Sequence, residues 1–347
     1  MPQPSRSVRA VTKFSVMGLL RNWGEFVKFS HTLFALPFAL ASMILAARSQ
    51  AATMSSPPTL LKHGWPGWKL FLLIVAAMAT ARTAAMAFNR IADHKIDALN
   101  PRTKDRHLPA GRISLLSASV LCGVSGAAFI GVCYFINPLC FMLAPAALAV
   151  ILFYSLTKRF TDFTHMVLGL SLALAPVGAW IAVTGSFQFV NATTDTSGWH
   201  WFKEMLGHLS NGALLPTTMA VVVFFWLVGF DMIYAIQDYD FDRRHKLHSL
   251  VVRWGPHNAL QAALLAHILM FGLLIFLGLL AGFRFPYWIG MLIIMILLGF
   301  EHWLVRRRGM QWAEKSFFRL NAVISMIFLT IVWAEVAFHT FWRSPLL

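Results

Sequence analysis

The chain has 347 residues, 58% of them hydrophobic and 12% charged, with a formal charge of +15 and a mean hydropathy of +0.65. A soluble domain carries about a quarter charged residues, so the composition excludes one, and it excludes a disordered chain as well. Cys122, Cys133 and Cys140 all lie in apolar runs, which excludes a disulfide scaffold.

A hydrocarbon core about 30 Å thick needs roughly 20 apolar residues per helical span. In chain order, a polar and basic segment 1–29 with no secretory leader precedes nine expected spans, at 30–49, 68–90, 114–135, 138–155, 163–184, 213–236, 258–281, 285–304 and 318–340. Residues 341–347 form a short tail, and 30–340 read as one all-α membrane domain whose helices enclose a single cavity. Pro37, Pro145 and Pro176 inside spans kink helices and favour such a cavity. The lone Asn191-Ala-Thr193 triplet reads as a chance match to a glycosylation acceptor.

The segments on the side of the N-terminus hold 22 of the 29 Lys and Arg, the opposite side holds six, and Arg82 falls inside the second span. That bias places the N-terminus and the basic loops in the cytoplasm, with a bacterial inner membrane as the expected location and the bilayer, not nucleic acid, as the partner of the charge.

Only 14 Asp and Glu are present, and many collect where two spans end. The second span runs into Asn89, Asp93 and Asp97, and the sixth into Asp238 and Asp242, with Asp231 deeper. Residues four apart share a helix face, about 6 Å apart along the axis, so each set forms a stripe. Four spans separate the two helices, so they run parallel and their acidic ends can face each other across one cavity. One such stripe is explained as well by solvated helix caps. Two at one depth, with Asp231 within the membrane, point to function. Converging carboxylates repel unless a cation neutralises them, and hard oxygens at this spacing suit Mg²⁺ completed by phosphate.

Basic, turn-rich loops follow both stripes: Asn100 to Arg112, with Arg102 and Arg106, and Arg243 to Ser249, with Arg243 and Lys246. Beside a metal cluster they suit a diphosphate. A cation-coupled transporter is the rival from another class, but it predicts acids near the midplane, whereas here every member of the two stripes but Asp231 gathers at one face. The Asp-Gly-x2-Ala-Arg signature of CDP-alcohol phosphotransferases is absent.

Asn89-x3-Asp93-x3-Asp97 and Asp238-x3-Asp242 come together with Asn100-Pro-Arg-Thr103, Leu108-Pro-Ala-Gly111, Tyr154-Ser-Leu-Thr-Lys-Arg159 and Asp231-x2-Tyr234-Ala. This combination resembles the UbiA superfamily of intramembrane aromatic prenyltransferases over roughly residues 20–340. Within it the chain is most similar to 4-hydroxybenzoate polyprenyltransferases and their menaquinone-pathway relatives. The stretch from Lys28 to Pro37 looks closer to relatives that prenylate a naphthoate, so a dihydroxynaphthoate stays open as acceptor, as does a haem-modifying activity.

The resemblance implies a two-metal site in which Asn89, Asp93, Asp97, Asp238 and Asp242 hold Mg²⁺ ions that bind a polyprenyl diphosphate, with Arg102, Arg106, Arg243 and Lys246 in the loops beside it, and it places Lys158 with Arg159 near the acceptor. Ionisation gives an allylic cation, which attacks the ring of an aromatic acid. Tyr154 belongs to a matched motif beside that cation, Arg159 is expected to meet the acceptor carboxylate, and Asp231 to orient or deprotonate its hydroxyl. His31, His107, His245 and His248 are weaker candidates for a base. No protein partner is implied.

Overall fold

The computed structural model describes Phe26 and residues 35–187 and 212–341. Among them the regular structure is helical: α1 (Leu36–Ala52), α2 (Trp68–Leu99), α3 (Leu115–Ile136), α4 (Pro138–Phe153), α5 (Thr164–Thr184), α6 (Leu214–Ala235), α7 (Leu250–Leu280), α8 (Phe285–Arg308) and α9 (Met310–Phe341). A 3₁₀ stretch, Tyr154–Arg159, extends α4, and Ile236–Asp238 followed by Tyr239–Arg244 extend α6.

Among the described residues, eight helices are long and apolar enough to cross a membrane. The sequence leads one to expect nine; α1 is 17 residues long, and the expected first span opens at residues 30–34, outside the described residues. Beyond the expected membrane stretch ending near residue 90, α2 continues to Leu99 and carries the whole Asn89–Asp97 stripe on one helix, as the spacing of those residues requires. The expectation of one continuous helix through Asp242 is corrected by the 3₁₀ turn at 236–238.

The ends are set by capping residues. Ser114 Oγ accepts from Ser117 N at 3.0 Å and Ser249 Oγ from Val252 N at 3.0 Å, each satisfying a helix N–H that has no partner within its own helix. Asn137 caps α4 through Cys140 N at 2.8 Å, and its amide donates to Ile181 O at 2.9 Å, tying the α3–α4 corner to the end of α5.

Consecutive helices from α2 to α9 pack as neighbours, and α1 closes the bundle by packing on both α5 and α9. Lipid tails are as apolar as leucine, so membrane helices associate through close backbone approach and polar ties rather than by expelling apolar groups from water. Gly169 on α5 is such a contact, since a Cβ there would lie 2.8 Å from Phe224 O on α6. Polar ties join the second half: Trp226 Nε1 donates to Asn321 Oδ1 at 2.9 Å, and Asn321 Nδ2 donates to Glu301 Oε2 at 2.9 Å. Leu116, Val124, Met142, Leu279, Leu292 and Ile296 are exposed instead of buried, as suits a surface solvated by lipid. While α5 and α6 touch, α2 reaches the bundle mainly through α3 and α4, leaving room between α2 and α6.

Candidate active site

That room is a cavity of about 430 Å³, within the range of ligand sites. Its inner part is walled by Ile74, Met78, Phe129, Ile136 and Ile151, and at its other end stand Asn89, Asp93 and Asp97 from α2 opposite Asp238 and Asp242 beyond α6. Asp231, Tyr154, Lys158, Arg102 and Arg106 line it too. The 3₁₀ turn at 236–238 does not carry Asp238 or Asp242 away from Asp231, for all three face one space. The Asn89–Asp97 row lies on the α2 face that the period of 3.6 puts toward the gap, while Asp238 and Asp242 sit on the 3₁₀ turn and the short helix that extend α6.

The carboxylates do not stand bare. Arg102 reaches from the loop after α2 to the opposite wall, where its Nε donates to Asp238 Oδ1 at 2.9 Å, its Nη2 pairs with Oδ2, and its Nη1 donates to Tyr234 OH at 2.9 Å. Asn100 Nδ2 adds a bond to Asp238 Oδ1 at 3.1 Å. Arg106 holds both oxygens of Asp97, at 2.7 and 2.8 Å, and Thr103 Oγ1 donates to Asp97 O at 3.0 Å, closing the loop onto the helix end. Burial opposes the charge of Arg102, but Asp238 and Tyr234 more than offset it and raise its pKa above the ordinary arginine value. Asp242 is buried and its carboxylate takes no hydrogen bond or ion pair among the described residues, with Lys158 the strongest cation acting on it.

Convergent carboxylates thus find their neutralising charge in guanidinium groups. As the side chains stand, no three acidic, His or Cys groups are gathered to hold a metal among the described residues. The donor set still fits a hard divalent cation: amide and carboxylate oxygens on two facing walls, engaged by arginines that are a quarter to a third exposed. The residues that would hold it are Asn89, Asp93, Asp97, Asp238 and Asp242.

Two residues expected to bind diphosphate lie elsewhere. Arg243 and Lys246 are exposed and line none of the cavity. Arg159, expected at the acceptor carboxylate, spends its guanidinium on Asp93 Oδ1 at 2.9 Å, Ala92 O at 2.7 Å and Ser155 O at 2.8 Å, and does not line the cavity. His245 and His248 bond Phe241 O and Asp162 at the surface, and neither they nor His107 line the cavity. His31 lies outside the described residues, as do Asn191 and Thr193.

Two residues at this site are missed by sequence reasoning. Arg82 on α2 lines the cavity seven residues inward of Asn89, and its buried Nε has no partner among the described residues. Its signal is its position: an arginine within a membrane span is costly and marks a site, whereas the charge count treats it only as a residue on neither side. The other is His165, fully buried on the first turn of α5, whose Nδ1 lies 2.7 Å from Asp231 Oδ2.

A family model described as "UbiA prenyltransferase family" matches residues 35–323. The chain is 26% identical over 272 residues to a 4-hydroxybenzoate octaprenyltransferase of Vibrio campbellii, covering 78% of this chain and 87% of that one. It is 27% identical to the Marinomonas enzyme of the same name, covering 79% and 87%. The apo structure of a UbiA homolog from Aeropyrum pernix superposes with a TM-score of 0.67 at 29% identity, over 90% of this chain and 98% of that one. A UbiA homolog from Archaeoglobus fulgidus, solved bound to GPP and Mg²⁺, shares the fold at a TM-score of 0.58 and 17% identity, over 88% of this chain and 99% of that one.

Proposed function

The chain belongs to the UbiA prenyltransferase family, and from that premise we propose that it transfers a polyprenyl group from polyprenyl diphosphate to the ring of 4-hydroxybenzoate. The observation that carries this reading is one cavity, rich in carboxylate and arginine at one end, apolar along its inner wall, and holding at depth an arginine whose buried Nε has no partner among the described residues. The relatives named 4-hydroxybenzoate octaprenyltransferase support the acceptor, and the GPP- and Mg²⁺-bound homolog supports the donor class and the metal.

Mg²⁺ held by Asn89, Asp93, Asp97, Asp238 and Asp242 would supply charge neutralisation for the leaving diphosphate. Arg102 and Arg106, released from Asp238 and Asp97, turn their forks to the remaining phosphate oxygens, and Lys158 adds a point charge from the facing wall. The apolar wall shields the allylic cation from water, and the faces of Tyr154 and Tyr234 stabilise it. Arg82 receives the acceptor carboxylate. Asp231, also seven residues inward of its row, meets the hydroxyl at the same depth, about 10 Å along the helix axis. Substrates enter from the cytoplasmic side of a nine-span bundle in the bacterial inner membrane, where the basic loops lie.

The test is an acceptor panel: membranes holding the protein, labelled octaprenyl diphosphate and Mg²⁺, offered 4-hydroxybenzoate or 1,4-dihydroxy-2-naphthoate. Prenylated hydroxybenzoate is expected, lost in chelator and in Asp93→Ala or Asp238→Ala variants. Product from the naphthoate alone would reassign the acceptor, and product from neither overturns the reading.

A further inference from the structure

Asp231 does not act alone. We infer that His165 is a positioning residue that holds Asp231 as the base for the acceptor hydroxyl, an inference that rests on the reading of this cavity as a hydroxybenzoate site.

The contact is built by packing. Gly169, one turn beyond His165, lets α5 lie against Phe224 and Val228 of α6, where any Cβ would meet atoms at 2.8 to 3.1 Å. Val228 stands one turn before Asp231, so this close approach brings His165 to the carboxylate. The first turn of α5 is fixed in addition by Thr157 Oγ1, which donates to Thr164 Oγ1 at 2.8 Å. That bond ties the turn bearing Tyr154 and Lys158 to the residue before His165. Both groups lie close enough to Asp231 to feel its charge.

A ring hydrogen on Nδ1 is donated to Asp231 Oδ2 across 2.7 Å, and a bond to a carboxylate is roughly twice as strong as one between neutral groups. One oxygen of Asp231 is then engaged and Oδ1 stands available on the cavity side, the geometry in which a carboxylate accepts a proton along a fixed direction.

The step balances as follows. The acceptor O–H breaks and its proton passes to Asp231. The allylic C–O bond breaks with its electron pair leaving on the diphosphate, and the ring carbon beside the oxygen forms the new C–C bond. The resulting dienone regains aromaticity when its ring C–H breaks, that proton leaving with the diphosphate, while Asp231 returns its proton to the oxygen. His165 keeps its own proton throughout.

The experiment compares wild type with His165→Ala and His165→Asn, whose amide can still donate to Asp231. The acceptors are 4-hydroxybenzoate and 3-fluoro-4-hydroxybenzoate, which has a more acidic hydroxyl and one free carbon beside it. Expected for His165→Ala is a fall in kcat of roughly a hundredfold with the first acceptor, a clearly smaller fall with the fluorinated one, and unchanged donor KM. His165→Asn should regain much of the loss. An equal fall with both acceptors, or a fall that appears in donor KM, overturns the inference while leaving the prenyl-transfer reading intact. If His165→Ala fails to fold, His165→Asn decides by the same comparison. A wild type that prenylates neither acceptor overturns both.

Discussion

The sharpest quantitative prediction concerns Arg82. Binding a carboxylate there breaks no existing ion pair, because the guanidinium has none among the described residues and its Nε is already buried. Arg159 would instead have to surrender three bonds of 2.7 to 2.9 Å. The charge-assisted bonds of Arg82 therefore count at full value, about 1.5–3 kcal/mol, which is roughly tenfold to a hundredfold in affinity. Arg82→Gln should raise the KM for 4-hydroxybenzoate by that factor, leave donor KM within about twofold, and abolish the preference for 4-hydroxybenzoate over 4-hydroxybenzyl alcohol. Arg82→Lys keeps the charge but loses the fork and should fall between the two. Steady-state prenyl transfer in detergent or nanodiscs, with each substrate varied in turn, reads all three numbers. If Arg82→Gln raises donor KM and keeps the carboxylate preference, the acceptor is held elsewhere and the depth argument fails.

Three further outcomes follow from the same geometry. Arg102 occupies both oxygens of Asp238, so Arg102→Ala should bind Mg²⁺ alone more tightly, by roughly fivefold to thirtyfold for about 1–2 kcal/mol of released pairing, while losing donor affinity; calorimetry without donor checks it, and unchanged Mg²⁺ affinity would count against carboxylates shared by arginine and metal. Gly178 lines the cavity with nothing within 4 Å of where its Cβ would lie, so Gly178→Leu should fold normally and cut kcat/KM for octaprenyl diphosphate about tenfold, at a steric cost of about 1–3 kcal/mol, and far less for geranyl diphosphate. Cysteines at the exposed positions Asp105 and Ser56 should react with an impermeant maleimide from opposite faces, Asp105→Cys only from the cytoplasm; labelling of both from one face would undo the span count.

The carboxylate rows were legible because their pattern is local. Asn89, Asp93 and Asp97 share a face through the helix period alone, and span parity put Asp238 and Asp242 at the same end, where Arg102 now joins the two walls. The membrane class and the basic side followed from composition and charge bias, which need no knowledge of packing. Spacing also suggested that loop arginines sit near these rows, and Arg106 does hold Asp97, nine residues away.

What sequence could not decide was which side chain faces which across the bundle. Arg102 meets a carboxylate 136 residues away, Arg159 turns to Asp93 and backbone carbonyls instead of the cavity, and Arg243 and Lys246 stay at the surface although their loop adjoins the site. His165 in an apolar run looks like any core histidine until Gly169 sets the distance between α5 and α6, and Arg82 is one unassigned charge until a cavity opens beside it. Periodicity along one helix fixes a face, but only the closeness and rotation of neighbouring helices, set by small residues at their crossings, decide what that face touches.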